Sequence, residues 1–322
     1  MIKRILQNHK YAITCPGQGI VRPGLLEPNK KYLPLMKDYL DEVDEALGQN
    51  FSQHLFINNA SNKVVADFTM QTTLDAQPAI LASTYIILKL FEHVHAIGLA
   101  ENAKYILGHS LGEYTALTLA GVLDLTTAVQ LVRLRGQLME TLVQNQNDKA
   151  EYGMIALLVR PNFVNDVINL AKEQGILGNI NSQSQIVLSG QMCRIEEFTK
   201  LESLQRKRAI LKAIKLPVSI PFHNSILEAI VPELESFVEG KVQEQKVPIV
   251  LNLDGDVTTV ASDTLKRTLK ANYNPVQWWK SMARICDAGL EGVVNLGPGD
   301  VVHNINSKFK INNVLIDEVA KM

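Results

Sequence analysis

Cysteine is scarce in this sequence, and so is any excess of charge of one sign. The three cysteines among 322 residues, Cys15, Cys193 and Cys286, form no C-x-x-C pair. This spacing favours free thiols in a reducing compartment and argues against a zinc site. The 32 Lys and Arg residues nearly balance the 33 Asp and Glu residues, which leaves a formal net charge of -1. Without a basic excess, the composition argues against general nucleic-acid binding.

Long apolar runs and low-complexity tracts are also missing. The longest apolar stretch, residues 79–91, is interrupted by Ser83, Thr84 and Lys89, so it does not predict a membrane-spanning helix. Apolar residues still make up 46% of the chain, which is enough to bury a sizeable core. The basic start of the chain, MIKRILQNHK, is compatible with the remnant of a mitochondrial presequence.

Strand-like and helical patterns alternate along most of the chain. KYAITC and KYILG are typical of buried strands, and helical patterns cover residues 35–47, 76–97, 111–120 and 124–144. The same alternation returns after residue 217 with VPIVLNLDG, NPVQWWKSMARICDAG and GVVNLGPGD. Strands that alternate with helices predict a parallel sheet covered by helices. We therefore expect an α/β fold, with a large α/β-hydrolase-like catalytic domain formed by residues 1–152 and 217–322.

A different order of elements lies between these two parts of the chain. Four segments are strand-like: MIALLVR, a short strand near 176–181, SQIVLSG and AILKAIKLP. Helical patterns follow MIALLVR and SQIVLSG. The order βαββαβ is that of a ferredoxin-like unit. The sequence therefore predicts a small ferredoxin-like domain over residues 153–216, inserted into the large one.

The stretch GHSLG, residues 108–112, places a serine between two glycines where a strand turns into a helix. This matches the G-x-S-x-G nucleophile elbow, in which the tight turn exposes the serine hydroxyl and the next main-chain N–H faces an oxyanion. The alternative is a plain strand-to-helix turn with Ser110 as a helix cap. Because a strand precedes Ser110 and a helix follows it, we favour a nucleophile.

A nucleophilic serine needs a base, and two of the seven histidines are candidates. His223 ends the apolar run LPVSIPFHN, and His303 follows GPGD, three residues after Asp300. The order Ser, acid, His of ordinary α/β-hydrolases favours His303. Spacing alone leaves both candidates open.

One arginine is predicted to be buried by its position on a helix. In TTAVQLVRLRGQLMET, the neighbours of Arg135 at three and four residues are all apolar: Leu131, Val132, Leu138 and Met139. Arg133 has glutamine neighbours and is expected to face water. A buried guanidinium needs an anionic partner, which is either an internal carboxylate or an anion on a substrate.

Seven segments together resemble the malonyl-CoA:acyl-carrier-protein transacylase family, and PGQGIVRPGLL, NSQSQIVLSG and LNLDGD are most similar to its fungal mitochondrial branch. The segments occur in the family order and span nearly the whole chain: PGQG, GHSLGEYTAL, RLRGQLM, NINSQSQIVLSG, PFHNS, NPVQWWKS and NLGPG. The resemblance implies transfer of a malonyl group from malonyl-CoA to acyl carrier protein, through a malonyl-serine intermediate, for fatty-acid biosynthesis. The alternative is a serine hydrolase or thioesterase with the same elbow.

The resemblance also implies roles for individual residues. Ser110 is the nucleophile and His223 its base, which decides against His303. The main-chain N–H groups of Gln18 and Leu111 form the oxyanion hole. The remaining implied residues bind the substrate or line its site: Arg135 holds the malonate carboxylate, the main-chain carbonyl of Gln277 orients His223, Asn181 lies near the histidine and the substrate, and Phe222 limits the width of the acyl pocket.

The resemblance implies no metal and no cofactor, because phosphopantetheine is carried by the partner. We expect malonyl-CoA and acyl carrier protein as partners, no nucleic acid, no membrane, and a monomer in the mitochondrial matrix, with the cytoplasm as the alternative location. Carrier proteins of this kind are acidic. The basic run Arg206-Lys207-Arg208, with Lys212 and Lys215 nearby, is therefore expected to steer the carrier to the enzyme.

Overall fold

The computed structural model describes residues 2–19, 24–56, 72–146 and 150–319. Its strands are β1 (Tyr11–Cys15), β2 (Tyr105–Gly108), β3 (Tyr152–Val159), β4 (Leu177–Ser182), β5 (Gln185–Gln191), β6 (Ile210–Lys215), β7 (Ile249–Val250), β8 (Val257–Thr258), β9 (Gly292–Leu296) and β10 (Asn312–Ile316). Its α-helices are α1 (Ile2–Gln7), α2 (Leu33–Leu47), α3 (Thr73–His95), α4 (Leu111–Leu119), α5 (Leu125–Gln144), α6 (Val164–Glu173), α7 (Met192–Thr199), α8 (Glu202–Lys207), α9 (Val231–Val238), α10 (Ala261–Lys270), α11 (Trp278–Asp287) and α12 (Val301–Asn306).

Six strands form the main sheet in the order β10-β9-β1-β2-β7-β8. All neighbours are parallel except β7 and β8 at one edge. The register of β1 and β2 places Cys15 beside Gly108, so both strands end at the same edge of the sheet. Open parallel sheets bind their ligands beyond the carboxyl ends of the strands. The predicted α/β class with a parallel-sheet core is confirmed, and the serine elbow follows directly after this edge.

Two long helices, α3 and α5, pack against each other beside the sheet. Thr72 caps the N-terminus of α3, and its hydroxyl accepts a hydrogen bond from Asp75 N. By length and composition α3 could cross a membrane, but 83% of its most apolar 18-residue stretch is buried inside the protein. Burial on nearly all sides identifies α3 as a core helix of the large domain.

The second sheet is antiparallel, with the strand order β4-β5-β3-β6. Its strands run from Tyr152 to Lys215, and the helices lie between them in the order βαββαβ. The helix expected after SQIVLSG is divided into α7 and α8. A separate apolar core, which includes Leu157, Ile186 and Phe198, holds these helices against the sheet.

Several elements at the carboxyl-terminal side did not have a sequence prediction, among them α9, α10, α12 and β10. VPIVLNLDG was predicted as one strand, but β7 has only two residues. The chain leaves the sheet after Val250, because the groups of Asn252 bond to other partners: its main-chain carbonyl accepts a hydrogen bond from Gln277 N at 2.7 Å, and its N–H donates to the Glu113 carboxylate at 2.9 Å.

Candidate active site

Ser110 lies on the sharp turn between β2 and α4, with φ 55° and ψ -115°. This is a strained conformation for a residue with a side chain. The two flanking glycines make the turn possible: a Cβ on Gly108 would lie 1.8 Å from the Gly112 carbonyl oxygen, and one on Gly112 would lie 2.3 Å from the Cys15 carbonyl oxygen. The local sequence thus forces Ser110 away from the sheet and onto the N-terminus of α4.

His223 is hydrogen-bonded to the serine. The distance from Ser110 Oγ to His223 Nε2 is 2.6 Å, and His223 Nδ1 lies 2.7 Å from the Ala271 carbonyl oxygen. Because a carbonyl oxygen can only accept, Nδ1 carries the hydrogen, and the lone pair of Nε2 faces the serine hydroxyl. This pair of contacts is the geometry of a nucleophile and its base.

The carbonyl that orients the histidine differs from the predicted one. The Gln277 carbonyl oxygen instead accepts hydrogen bonds from Ser281 N and Ser281 Oγ, at 3.0 and 3.3 Å. Gln277 caps the start of α11, and its carbonyl is committed to the first turn of that helix. The prediction of Gln277 as the orienting residue is wrong, because Ala271, just after α10, occupies that place.

His303, the rival base, lies on α12 and has no described hydrogen bond to Ser110. Its Nδ1 is 3.4 Å from Asn295 Nδ2, and Asn295 also contacts Thr14 and Asn306 in a buried polar network. His303 therefore contacts the polar network at the carboxyl ends of β1 and β9 rather than the serine.

Burial keeps the candidate base neutral. His223 is 3% exposed, and desolvation lowers its pKa to about 3 despite the hydrogen bond to the Ala271 carbonyl, which acts in the opposite direction. The charge of Arg135 lowers this pKa further. At neutral pH the imidazole of the resting protein is thus uncharged and ready to accept the serine proton.

Two main-chain N–H groups predicted to bind an oxyanion have no acceptor within the described part of the chain. Leu111 N opens α4, where the helix dipole adds partial positive charge. Gln18 lies in the loop after β1, and its side-chain Nε2 is 3.4 Å from Thr73 Oγ1. Their pairing as an oxyanion hole stays a prediction.

Arg135 is buried, as predicted, with 1% of its surface exposed. Its Nε donates to Asn272 Oδ1 at 2.6 Å and its Nη1 to Gln77 Oε1 at 2.7 Å. The guanidinium also lies over the ring of Tyr114, 5.1 Å from the centroid. Burial lowers the pKa of Arg135, while Tyr114 and Glu113 raise it.

No carboxylate forms a salt bridge with Arg135 among the residues that the structure describes. Its hydrogen-bonding partners are neutral amides, which orient the guanidinium without cancelling its charge. A buried cation held in this way attracts an anionic ligand. A small cavity joins Arg135 to Ser110 and His223, so an anion at Arg135 would belong to the molecule that reacts at the serine.

The prediction that Arg133 faces water is wrong. Its Nη1 lies 2.5 Å from Asp75 Oδ1 and its side chain is 24% exposed, because the first turn of α3 brings Asp75 against α5. Arg133 therefore has an internal carboxylate partner, whereas Arg135 has none among the described residues.

Asn181 and Phe222 lie close to the serine–histidine pair without a described contact to Ser110 Oγ. Asn181 Oδ1 is 2.9 Å from Nε2 of His109, the residue before the nucleophile, so it contacts that histidine rather than His223. Phe222 is 6% exposed, and its carbonyl accepts a hydrogen bond from Ser189 Oγ at 2.6 Å. Their roles in substrate binding stay predictions.

Sequence reasoning missed two residues beneath the elbow. Asn252 Oδ1 accepts the Ser110 N–H at 2.8 Å, and Asn252 Nδ2 donates to the Gly108 carbonyl at 2.5 Å. Glu113 in turn accepts hydrogen bonds from Asn252 N and from Thr268 Oγ1, at 2.9 and 2.7 Å. The acid in GHSLGE was a visible signal, since it falls in the first turn of the helix after the nucleophile, whereas nothing near Asn252 indicated its partner.

The buried Glu113 carboxyl should make stability depend on pH. Burial raises its pKa from 4.5 to about 7, against the hydrogen bonds from Thr268 and Asn252. Between pH 4.5 and 7 the folded protein keeps a proton that the unfolded chain releases. The contribution of this proton to the free energy of unfolding is therefore fully present below pH 4.5 and lost as the pH rises through 7. Its size is on the order of 3 kcal/mol.

Glu113→Gln removes this titration, because a neutral amide accepts from Asn252 N and donates to Thr268 Oγ1. The melting temperature of the variant minus that of wild type should therefore increase by a few degrees from pH 5 to pH 8, because only the wild-type protein loses stability over this range. Differential scanning fluorimetry across this range measures the difference. A difference that stays constant with pH would contradict a raised pKa at Glu113.

No group of three or more His, Cys, Asp or Glu side chains that could hold a metal ion is found in residues 2–19, 24–56, 72–146 and 150–319. The chemistry available on the described residues is that of a serine nucleophile, a neutral histidine base and a buried cation.

Comparison with known proteins agrees with this chemistry. The model of a family described as "acyl transferase domain" matches residues 25–303. A malonyl CoA-acyl carrier protein transacylase of Bacillus subtilis is 29% identical over 304 residues, which cover 93% of this chain and 90% of the relative. An acyl carrier protein S-malonyltransferase from Vibrio cholerae is 29% identical with a TM-score of 0.81, over 97% of this chain and 98% of that one. FabD from Acinetobacter baumannii is 27% identical with a TM-score of 0.81, over 96% and 95% of the two chains.

Proposed function

The chain belongs to the acyl transferase domain family, and on this premise we propose that it transfers a malonyl group from malonyl-CoA to the phosphopantetheine thiol of an acyl carrier protein, for fatty-acid biosynthesis. The surroundings of Arg135 are the observation that supports malonyl as the transferred group. Arg135 is a buried cation with neutral hydrogen-bonding partners, and it lines the same cavity as the Ser110–His223 pair. The free carboxylate of malonate supplies the negative charge that the described residues do not place on Arg135.

The reaction proceeds in two half-reactions at Ser110. Nε2 of His223 takes the hydroxyl proton as Ser110 Oγ bonds to the thioester carbon, and the resulting oxyanion accepts hydrogen bonds from Leu111 N and Gln18 N. Collapse of this intermediate breaks the carbon–sulfur bond, and His223 returns the proton to the CoA sulfur. The carrier thiol then attacks the malonyl ester by the same steps in reverse. Because a thioester is exchanged for a thioester, the overall transfer needs no input of energy.

Intact-mass measurement tests this function. Incubation with malonyl-CoA should add one malonyl group to the protein, and addition of a holo carrier protein should move that group to the carrier. A serine hydrolase or thioesterase, the alternative function, would instead release free malonate at a rate that rivals transfer. Rapid malonate release without carrier would contradict a transferase.

The carrier partner, the monomeric state and the mitochondrial location are further parts of the proposal. Relatives named for acyl carrier protein support the carrier. The location in the mitochondrial matrix, with the cytoplasm as the alternative, and the monomer stay predictions from the sequence.

Charge reversal in the basic run tests where the carrier docks. Arg206 contacts Glu202, Lys207 lies 2.9 Å from Asp166, and Lys215 lies 2.5 Å from Glu151. Arg208 and Lys212 have no ion pair within the described residues and so have charge available for an acidic partner.

Arg208→Glu with Lys212→Glu should therefore weaken carrier-dependent turnover severalfold at low salt and less at high salt, while acylation by malonyl-CoA stays unchanged. Arg206→Glu with Lys207→Glu makes the same change of charge at two positions that are already paired, so it is the matched control and should have the smaller effect. Steady-state rates against carrier concentration measure this. Equal losses in both half-reactions would contradict a docking role.

A further inference from the structure

We propose that Asn252 and Glu113 are positioning residues for the nucleophile: the Asn252 side chain holds the backbone of Ser110 in its reactive conformation, and Glu113 holds Asn252. The inference rests on the proposed role of Ser110 as the nucleophile. Neither residue contacts the hydroxyl that reacts, so both act through the main chain of the elbow.

The Asn252 side-chain amide bonds to the two peptide groups that flank His109, immediately before the strained residue Ser110. Its oxygen accepts from Ser110 N at 2.8 Å and its nitrogen donates to the Gly108 carbonyl at 2.5 Å, so one planar amide fixes two consecutive peptide groups of the elbow. The main-chain conformation of Ser110, with φ 55°, is sparsely populated and persists only where its surroundings hold it. Asn252 is completely buried, which makes these bonds strong and their loss costly.

This amide also decides which N–H groups face the substrate. At a helix N-terminus, the N–H groups of Ser110 and Leu111 both lack a helical partner. The Ser110 N–H donates to Asn252 Oδ1, and the Leu111 N–H has no acceptor among the described residues. The oxyanion therefore meets Leu111 N in a fixed direction, and Ser110 N cannot compete for it.

Glu113 fixes Asn252 at a place where the sheet does not. β7 ends at Val250, two residues before Asn252, so a ladder of strand bonds does not hold its backbone. Glu113 Oε2 accepts Asn252 N at 2.9 Å, while Oε1 accepts Thr268 Oγ1 at 2.7 Å. Glu113 is 1% exposed and lies on the same helix, α4, that begins at the nucleophile. The acid thus ties Asn252 to the helix whose start it must support.

Ser110 reactivity is measured best with a fluorophosphonate probe, which bonds to an activated serine oxygen and releases fluoride. This readout does not need malonyl transfer, so failure of the proposed function and failure of the positioning role are distinguishable. Glu113→Ala and Asn252→Ala should each slow labelling, and Ser110 acylation by malonyl-CoA, on the order of a hundredfold. In Asn252→Ala, the dissociation constant of malonyl-CoA and the preference for malonyl over acetyl should stay near wild type, because Arg135 keeps its hydrogen bonds to Asn272 and Gln77.

Three further variants separate positioning from general stability. Glu113→Gln keeps an acceptor for Asn252 N and should rescue labelling to within about threefold of wild type, as a conservative amide substitution keeps the hydrogen bond. Thr268→Val removes the other bond to Glu113 and should lower the melting temperature with little loss of rate. The double variant of Glu113→Ala and Asn252→Ala should be no slower than either single variant, because both break one connection.

The proposal is overturned if Thr268→Val and Glu113→Ala have similar melting temperatures and the labelling rate of Thr268→Val falls as far as that of Glu113→Ala. It is equally overturned if the losses in the double variant multiply, or if Glu113→Gln does not restore the rate. Should Glu113→Ala fail to fold, the comparison of Glu113→Gln, Thr268→Val and Asn252→Ala still decides between the outcomes.

Discussion

Arg135→Ala should abolish the preference for malonyl-CoA over acetyl-CoA. In the wild-type protein, an acetyl group would leave the Arg135 guanidinium desolvated and without an anion, since Asn272 and Gln77 contribute only neutral oxygens. A buried charge without a counter-charge costs enough to discriminate on the order of a hundredfold or more. The substitution removes both the attraction for malonate and the penalty for acetate. Malonyl transfer should therefore collapse, while acetyl transfer should hold or rise.

The measurement is the rate of Ser110 acylation by each of the two thioesters, followed by intact mass. Arg133→Ala is the matched control, because Arg133 lies on the same helix and is paired with Asp75 at 2.5 Å. The control should lower the melting temperature and keep the malonyl preference. If Arg135→Ala itself keeps the preference, the carboxylate is bound elsewhere and the argument from the buried arginine is wrong.

Ser110→Ala should eliminate the covalent malonyl adduct, and His223→Ala should slow its formation by about a hundred- to ten-thousandfold. The hydroxyl is the atom that becomes acylated, and His223 Nε2, 2.6 Å away, is the group that removes its proton. Because nucleophile and base act as a unit, combining the two substitutions should cost no more than Ser110→Ala alone.

His303→Ala serves as the control for this second result. Its contact to Asn295 belongs to the buried network at the carboxyl ends of β1 and β9, so the variant should lose some stability and keep most of the acylation rate. Adduct formation within seconds to hours, read by intact mass, ranks the three variants. A His303→Ala enzyme as slow as His223→Ala would show that the base has been misassigned.

The sequence by itself determined the elements whose geometry is local. Two glycines around Ser110 predict the elbow, because only a residue without Cβ fits the approach of Gly108 to Gly112 O and of Gly112 to Cys15 O. Apolar neighbours at helical spacing predict the burial of Arg135, because the period of a helix fixes which side chains share its face. Strand–helix alternation predicts the parallel sheet for the same reason, since each pattern reports a short-range repeat.

Only the tertiary structure decided how distant segments meet. The contact between Ser110 and His223 joins residues 113 apart, and the one between Ser110 and Asn252 joins residues 142 apart. Local pattern does not encode such distances, which is why Ala271, rather than Gln277, holds the histidine without any sequence signal. The same holds for Arg133, whose partner Asp75 is brought to it by the packing of α3 on α5. What surrounds a buried charge is set by the neighbouring helices, and that is information that the sequence of its own helix does not contain.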